Sequence, residues 1–91
     1  MSGQIFRGYR IVGRVQGVYF RGSARSQALR LGIRGWAQNL ADGSVEVRAC
    51  GAVDAMLEFE CWLGKGPRYA DVHHVESTEE SFDPPMEFEV R

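Results

Sequence analysis

The sequence contains no apolar run approaching the roughly 18 residues that a membrane-spanning helix needs, so no segment within it can cross a bilayer as a helix. Met1-Ser2-Gly3-Gln4 lacks the basic stretch followed by an apolar stretch that marks a secretory leader, and the expected compartment is cytoplasmic. Cysteine is scarce. Cys50 and Cys61 do not form a C-x-x-C pair and have no companions for a zinc site, so both read as free, buried thiols. Charge of one sign is lacking too: 11 Lys and Arg oppose 12 Asp and Glu, for a formal net charge of −1. No bulk field therefore favours nucleic acid or an anionic membrane surface, and any anion binding must come from local placement. The adjacent His73 and His74 would point to opposite faces of a strand, which disfavours a shared metal. No metal site is expected from these residues. Repeats, linkers and low-complexity segments are absent as well.

The 91 residues, 44% apolar and 25% charged, suit one domain spanning 1–91 with a modest core. A first strand is expected from Ile5 to Val12, with Tyr9 and Ile11 on one face and Gly8 as an irregularity. A helix follows over Arg21–Leu31, where Phe20, Ala24, Ala28 and Leu31 recur at helical spacing and Gly32 supplies a stop. Ile33–Asn39 and Ser44–Cys50 read as strands joined through Leu40-Ala41-Asp42-Gly43, whose Asp-Gly is a hairpin signal. Val53, Met56, Phe59 and Leu63 mark a second helix, Val53–Leu63, ended by Gly64-Lys65-Gly66-Pro67. Ala70–Ser77 reads as a fourth strand and Thr78–Pro85 as a loop, and Met86, Phe88 and Val90, alternating with Glu87, Glu89 and Arg91, suggest a final strand. Two split β-α-β units of this size predict a ferredoxin-like α+β sandwich. Its antiparallel sheet of four to five strands would carry both helices on one face. Many functions share that fold, so activity must be argued from a site.

The stretch Gly13-Arg14-Val15-Gln16-Gly17-Val18-Tyr19-Phe20-Arg21 lies between the first strand and the first helix. Gly13 and Gly17 are placed to curl the backbone. Successive N–H groups feeding a helix N-terminus make a concave donor site for an anion. Arg21 adds a planar, permanently charged fork to it. The loop holds no cysteine between Val15 and Arg21, which excludes a thiolate nucleophile. Gly17 and Gly22 approach a Walker spacing, but Ser23 stands where that motif needs lysine. Asn39 ends a strand at a turn, a position where a short amide commonly bonds nearby backbone. Were the first and second strands neighbours, Asn39 would also reach the mouth of the glycine loop. There it could hold a water without adding negative charge.

Together, GRVQGVYFR and GWAQNLADGSVEV, the latter continuing to Gly51, resemble the two signatures of the acylphosphatase family, and the resemblance extends to the final EFEVR. It implies hydrolysis of acyl phosphates to a carboxylate and inorganic phosphate without metal or cofactor. It places the phosphate-binding arginine at Arg21, the water-positioning asparagine at Asn39, and the phosphate-binding loop over Val15, Gln16, Gly17, Val18, Tyr19, Phe20 and Arg21. Tyr19 occupies a variable loop position, Gly8 stands where an apolar side chain is usual, and His74 where relatives often carry arginine. The implied partner is a small acyl phosphate, with inorganic phosphate as product and competitive inhibitor. No nucleic acid or membrane is expected, and the chain would act as a monomer. Two other readings stay open. One is a nucleic-acid-binding module using aromatics on an open sheet face, for which Phe6, Arg10 and Arg48 are scattered candidates. The other is an anion-binding domain without turnover.

Overall fold

The computed structural model describes residues 3–91; Met1 and Ser2, half of the stretch read for a leader, lie outside the described residues. Seven elements follow in order: β1 (Gln4–Arg14), α1 (Phe20–Leu31), β2 (Arg34–Asn39), β3 (Val45–Ala52), α2 (Val53–Leu63), β4 (Asp71–Glu79) and β5 (Glu89–Val90). The strands form one sheet in the order β4-β1-β3-β2-β5. Both helices pack on one face of it, in a ferredoxin-like α+β arrangement. Period-two alternation fixes which residues turn inward. Tyr9, Ile11, Ala37, Val45, Val47 and Ala49 supply the sheet side of the core. Phe20, Ala24 and Ala28 of α1 and Met56, Phe59 and Leu63 of α2 close over them. Small alanines on α1 let that helix approach the sheet closely, while the aromatic and branched side chains of α2 fill the other half. Gly32 ends α1 at φ 70, a conformation a Cβ disfavours, and its N–H bonds the carbonyls of Ala28 and Leu29.

Several expectations are corrected. The sheet is mixed rather than purely antiparallel, because β5 runs parallel to β2, pairing Trp36 with Glu89 and Ala37 with Val90. Only those two residues of the expected final strand join the ladder. Phe88 is buried, with its ring 5.9 Å from that of Phe59, whereas Met86 is 90% exposed. β1 runs to Arg14, and β4 extends to Glu79, two residues past the expected end. Val53 begins α2 but faces outward. Cys50 is buried as a free thiol, but Cys61 is exposed.

Gly8 does not weaken β1. It pairs with Arg48 on one side and Thr78 on the other. A Cβ there would meet the side chains of Glu80 and Arg48, so the missing side chain leaves room for their ion pair across the strand. On the same helix-free face, Phe82 packs edge-on against Phe6 and Trp36, at centroid distances of 5.3 and 5.2 Å. Arg34 donates to the carbonyls of Pro84 and Pro85 and so ties the 80–88 segment to β2.

Candidate active site

β1 and β2 are not neighbours; β3 lies between them. The adjacency that would have brought Asn39 to the glycine loop is therefore absent, and a different feature takes its place. Val45 of β3 pairs with Ile11 on one side and Asn39 on the other. Ile11 of β1 and Asn39 at the end of β2 thus lie level, with one strand between them, about 10 Å apart at ordinary sheet spacing. β1 continues to Arg14, past the level of Asn39, before the 15–19 loop leaves it. Gln16 closes the gap by donating its side-chain amide to the carbonyls of Leu40 and Ser44, both at 2.9 Å. Ser44 is buried, and its N–H and hydroxyl both donate to Asp42, at 2.9 and 2.5 Å. Arg10 pairs with the other oxygen of that carboxylate at 2.5 Å. These bonds, the Arg10 guanidinium first and Ser44 second, hold the Asp42 carboxyl well below the usual carboxylate range. The turn that follows Asn39 is thereby fixed to β1, β3 and the loop together.

The two glycines of the loop have separate jobs. Gly17 takes φ 77, with open space where a Cβ would stand, so it serves the turn itself. Gly13 lies within β1, contrary to the expected role in curling the loop. It sits at φ 140 beside a register shift against β4, where a Cβ would collide with the Asp71 carbonyl. Tyr19 adopts φ 61 at the N-terminal cap of α1, the left-handed region for a residue that is not glycine. Its ring lies over Gly22, which has no side chain to obstruct it. Left-handed residues at 17 and 19 are the kind of backbone turns from which anion-binding nests are built. Among the described residues, none of the N–H groups from Gln16 to Gly22 bonds a side chain, or a main-chain carbonyl outside the regular elements. The first N–H groups of α1 also have no partner within the helix.

Beside this run opens a cavity of about 440 Å³. Val15, Gly17, Tyr19, Phe20 and Arg21 line one wall, and Asn39 lines it from β2. Gly22, Arg25 and Ser26 extend it along α1 to Val90. Among the described residues, no carboxylate side chain lines it. Arg21 donates to the main-chain oxygen of Arg91 at 2.6 Å, and Arg91 in turn stacks on Trp36 at 4.1 Å. Of the loop residues named from sequence, Gln16 and Val18 do not line the cavity. Gln16 faces the β2–β3 turn, and Val18 packs against the core. The resemblance placed Gln16 in the phosphate-binding loop through its main-chain amide; the bonds of its side chain to the turn were not foreseen, and its length was the only hint of them. Sequence reasoning did not find Arg25, whose position one turn after Arg21 was the available signal.

The chain as a whole also matches known proteins. The acylphosphatase family model covers residues 7–90. The chain belongs to the acylphosphatase family. It is 61% identical over 62 residues to the acylphosphatase of Legionella pneumophila, 68% of each chain. With that of Halorhodospira halophila it shares 51% identity over 81 residues, 88% of this chain and 87% of the other. The structure of an acylphosphatase from Coxiella burnetii superposes with a TM-score of 0.91 at 38% identity, covering 97% of this chain and 93% of that one. Acylphosphatase-type hydrolysis of acyl phosphates is accordingly the reaction class of the chain.

Proposed function

We propose that the loop amides and Arg21 bind the phosphoryl group of an acyl phosphate while Asn39 orients the attacking water. The observation that carries this reading is the single cavity shared by Gly17, Arg21 and Asn39, with loop amides beside it that bond no side chain and, among the described residues, no acidic side chain in its wall. Phosphoryl transfer asks chiefly for positioning and for stabilisation of charge on three equatorial oxygens. Main-chain donors and a guanidinium fork supply charge-assisted hydrogen bonds to those oxygens. The water oxygen forms a bond to phosphorus as the bond from phosphorus to the acyl oxygen breaks. The electron pair of that bond leaves with the carboxylate. A carboxylate is a weak base, with a conjugate acid near pKa 4, so departure needs no strong general acid. The proton from water passes to a phosphoryl oxygen of the substrate. The amide of Asn39 accepts or donates a hydrogen bond to the water and contributes orientation rather than proton transfer.

A monomer acting on a small molecule in the cytoplasm, without metal or nucleic acid, completes the proposal. The nucleic-acid alternative finds little support. Phe82 covers the aromatics of the open face, and Arg10 and Arg48 are engaged by Asp42, Glu76, Glu46 and Glu80. The test is a continuous assay of benzoyl phosphate hydrolysis with inorganic phosphate as competitor and EDTA as control. Arg21→Ala should cost at least about a hundredfold in kcat/KM while the far-ultraviolet spectrum stays native. Asn39→Ala should lower kcat more than it weakens phosphate inhibition. Wild-type turnover in the Arg21 variant would reject the assignment. Phosphate binding by a wild-type protein that hydrolyses nothing would identify a binding domain instead.

A further inference from the structure

We infer that Arg25 selects acyl phosphates whose acyl part carries a second anionic group; this inference rests on the acyl phosphate reading of the cavity. The cavity is several times larger than a phosphoryl group requires: at about 30 Å³ per water its 440 Å³ would hold roughly fifteen. The space beyond the loop runs along α1, past Gly22 and Ser26, to Arg25. Arg21 and Arg25 are four residues apart on one helix, so both guanidiniums rise from the same face with an axial offset of about 6 Å. An acyl group leaving a phosphate held near Arg21 therefore extends toward a second cation.

Arg25 is positioned for that role. Its Nε donates to the carbonyl of Phe88 at 3.2 Å, and Phe88 is itself buried and packed on Phe59. This bond anchors the root of the fork and, among the described residues, is its only hydrogen bond. The terminal nitrogens remain for a ligand. Among the described residues Arg25 has one ion pair, with Glu87 at 3.9 Å, too far for a hydrogen bond and with the Glu87 side chain 74% exposed; Glu89 lines the same neighbouring hollow as Glu87 and pairs with Arg91 at 3.0 Å. The attraction of Glu87 is screened by water and salt, so a ligand carboxylate or phosphate can displace it. A guanidinium presents paired donors to such a group, and among the described residues the cavity wall offers no side-chain carboxylate to repel it.

The test compares 4-carboxybenzoyl phosphate with 4-methylbenzoyl phosphate, which differ at one para position and present similar leaving groups. The para carboxylate lies about one helical turn from the reacting carbonyl and somewhat further from phosphorus, a span that two long arginine side chains rooted about 6 Å apart can bracket. At low ionic strength wild type should favour the carboxylated ester in kcat/KM by about fivefold, the scale of a half-exposed ion pair. Arg25→Gln should bring the ratio to near one, Arg25→Glu should take it below one, and Arg25→Lys should restore part of it. Adding salt should shrink the wild-type preference. A ratio is insensitive to any general loss of folded enzyme from breaking the bond to Phe88, which a melting curve records separately. Equal kcat/KM for the two esters in wild type, or a preference that survives in Arg25→Gln, would overturn the inference while leaving acyl phosphate hydrolysis intact. Hydrolysis of neither ester would remove the underlying reading and this inference with it.

Discussion

Replacing Gln16 with methionine keeps the length of the side chain and deletes two hydrogen bonds. In the native structure one amide group reaches the carbonyls of Leu40 and Ser44, each at 2.9 Å and partly buried. A neutral hydrogen bond is worth about 0.5–1.5 kcal/mol net, so the pair is worth about 2 kcal/mol. The larger penalty for orphaned acceptors does not apply. The Leu40 carbonyl still accepts from Gly43 N–H at 3.2 Å, and that of Ser44 from Leu40 N–H at 2.9 Å. A loss of about 2 kcal/mol lowers the melting temperature of a domain this size by about 8–16 °C. Turnover should fall as well, although Gln16 does not line the cavity, because the bonds hold the loop level with the turn after Asn39. A misplacement of about 1 Å can cost about a hundredfold in an oriented reaction. Urea unfolding gives the stability term, and benzoyl phosphate kinetics at 15 °C give the catalytic one. A stability loss under about 0.5 kcal/mol would refute the energetic reasoning. A clear stability loss with wild-type kcat would refute the claim that these bonds align the site.

Gly35 stands in β2 at φ 145, where a Cβ would fall well inside contact distance of the Arg48 carbonyl. Gly35→Ala should therefore cost about 3 kcal/mol, measured by urea unfolding, and a change below 1 kcal/mol would show that the strand relaxes freely. Asp42 has a folded-state pKa held below its unfolded value near 3.9, first by Arg10 and then by Ser44. Its stabilising contribution is complete above pH 4 and is lost as pH falls toward the folded-state value. The melting-temperature gap between wild type and Asp42→Asn should be widest at pH 7 and narrow steadily below pH 4. A gap constant down to pH 2 would remove Arg10 and Ser44 as its cause.

Much of the architecture was legible because it rests on local signals. Helical spacing at Ala24 and Ala28, the glycine stop at Gly32 and the Asp42-Gly43 turn each act within a few residues, and α2 matches its expected bounds, Val53–Leu63. The parallel seat of β5 was not legible. Met86, Phe88 and Val90 alternate as an antiparallel strand would, yet the path of the 80–88 segment is set by distant partners, Arg34 and the aromatics Phe6 and Trp36. Gly8 read as a flaw for the same reason: Glu80, the residue that uses its empty space, is seventy-two positions away in the chain. At the site, Arg21 and Asn39 could be named from their motifs. The device that levels them could not, since strand order is decided by which edges pair, and β3 had to lie between β1 and β2.

Val45, gripped from both sides by Ile11 and Asn39, has a consequence for how the enzyme matures. Side chains alternate along a strand, so slipping β3 by one residue would turn Val45 outward and carry Asn39 away from the loop. No half-slipped chain can assemble the cavity. Recovery of hydrolysis during refolding is thus a stricter clock than recovery of helical signal, for it starts only when the β2–β3 hairpin has locked against the distant β1 in its final alignment.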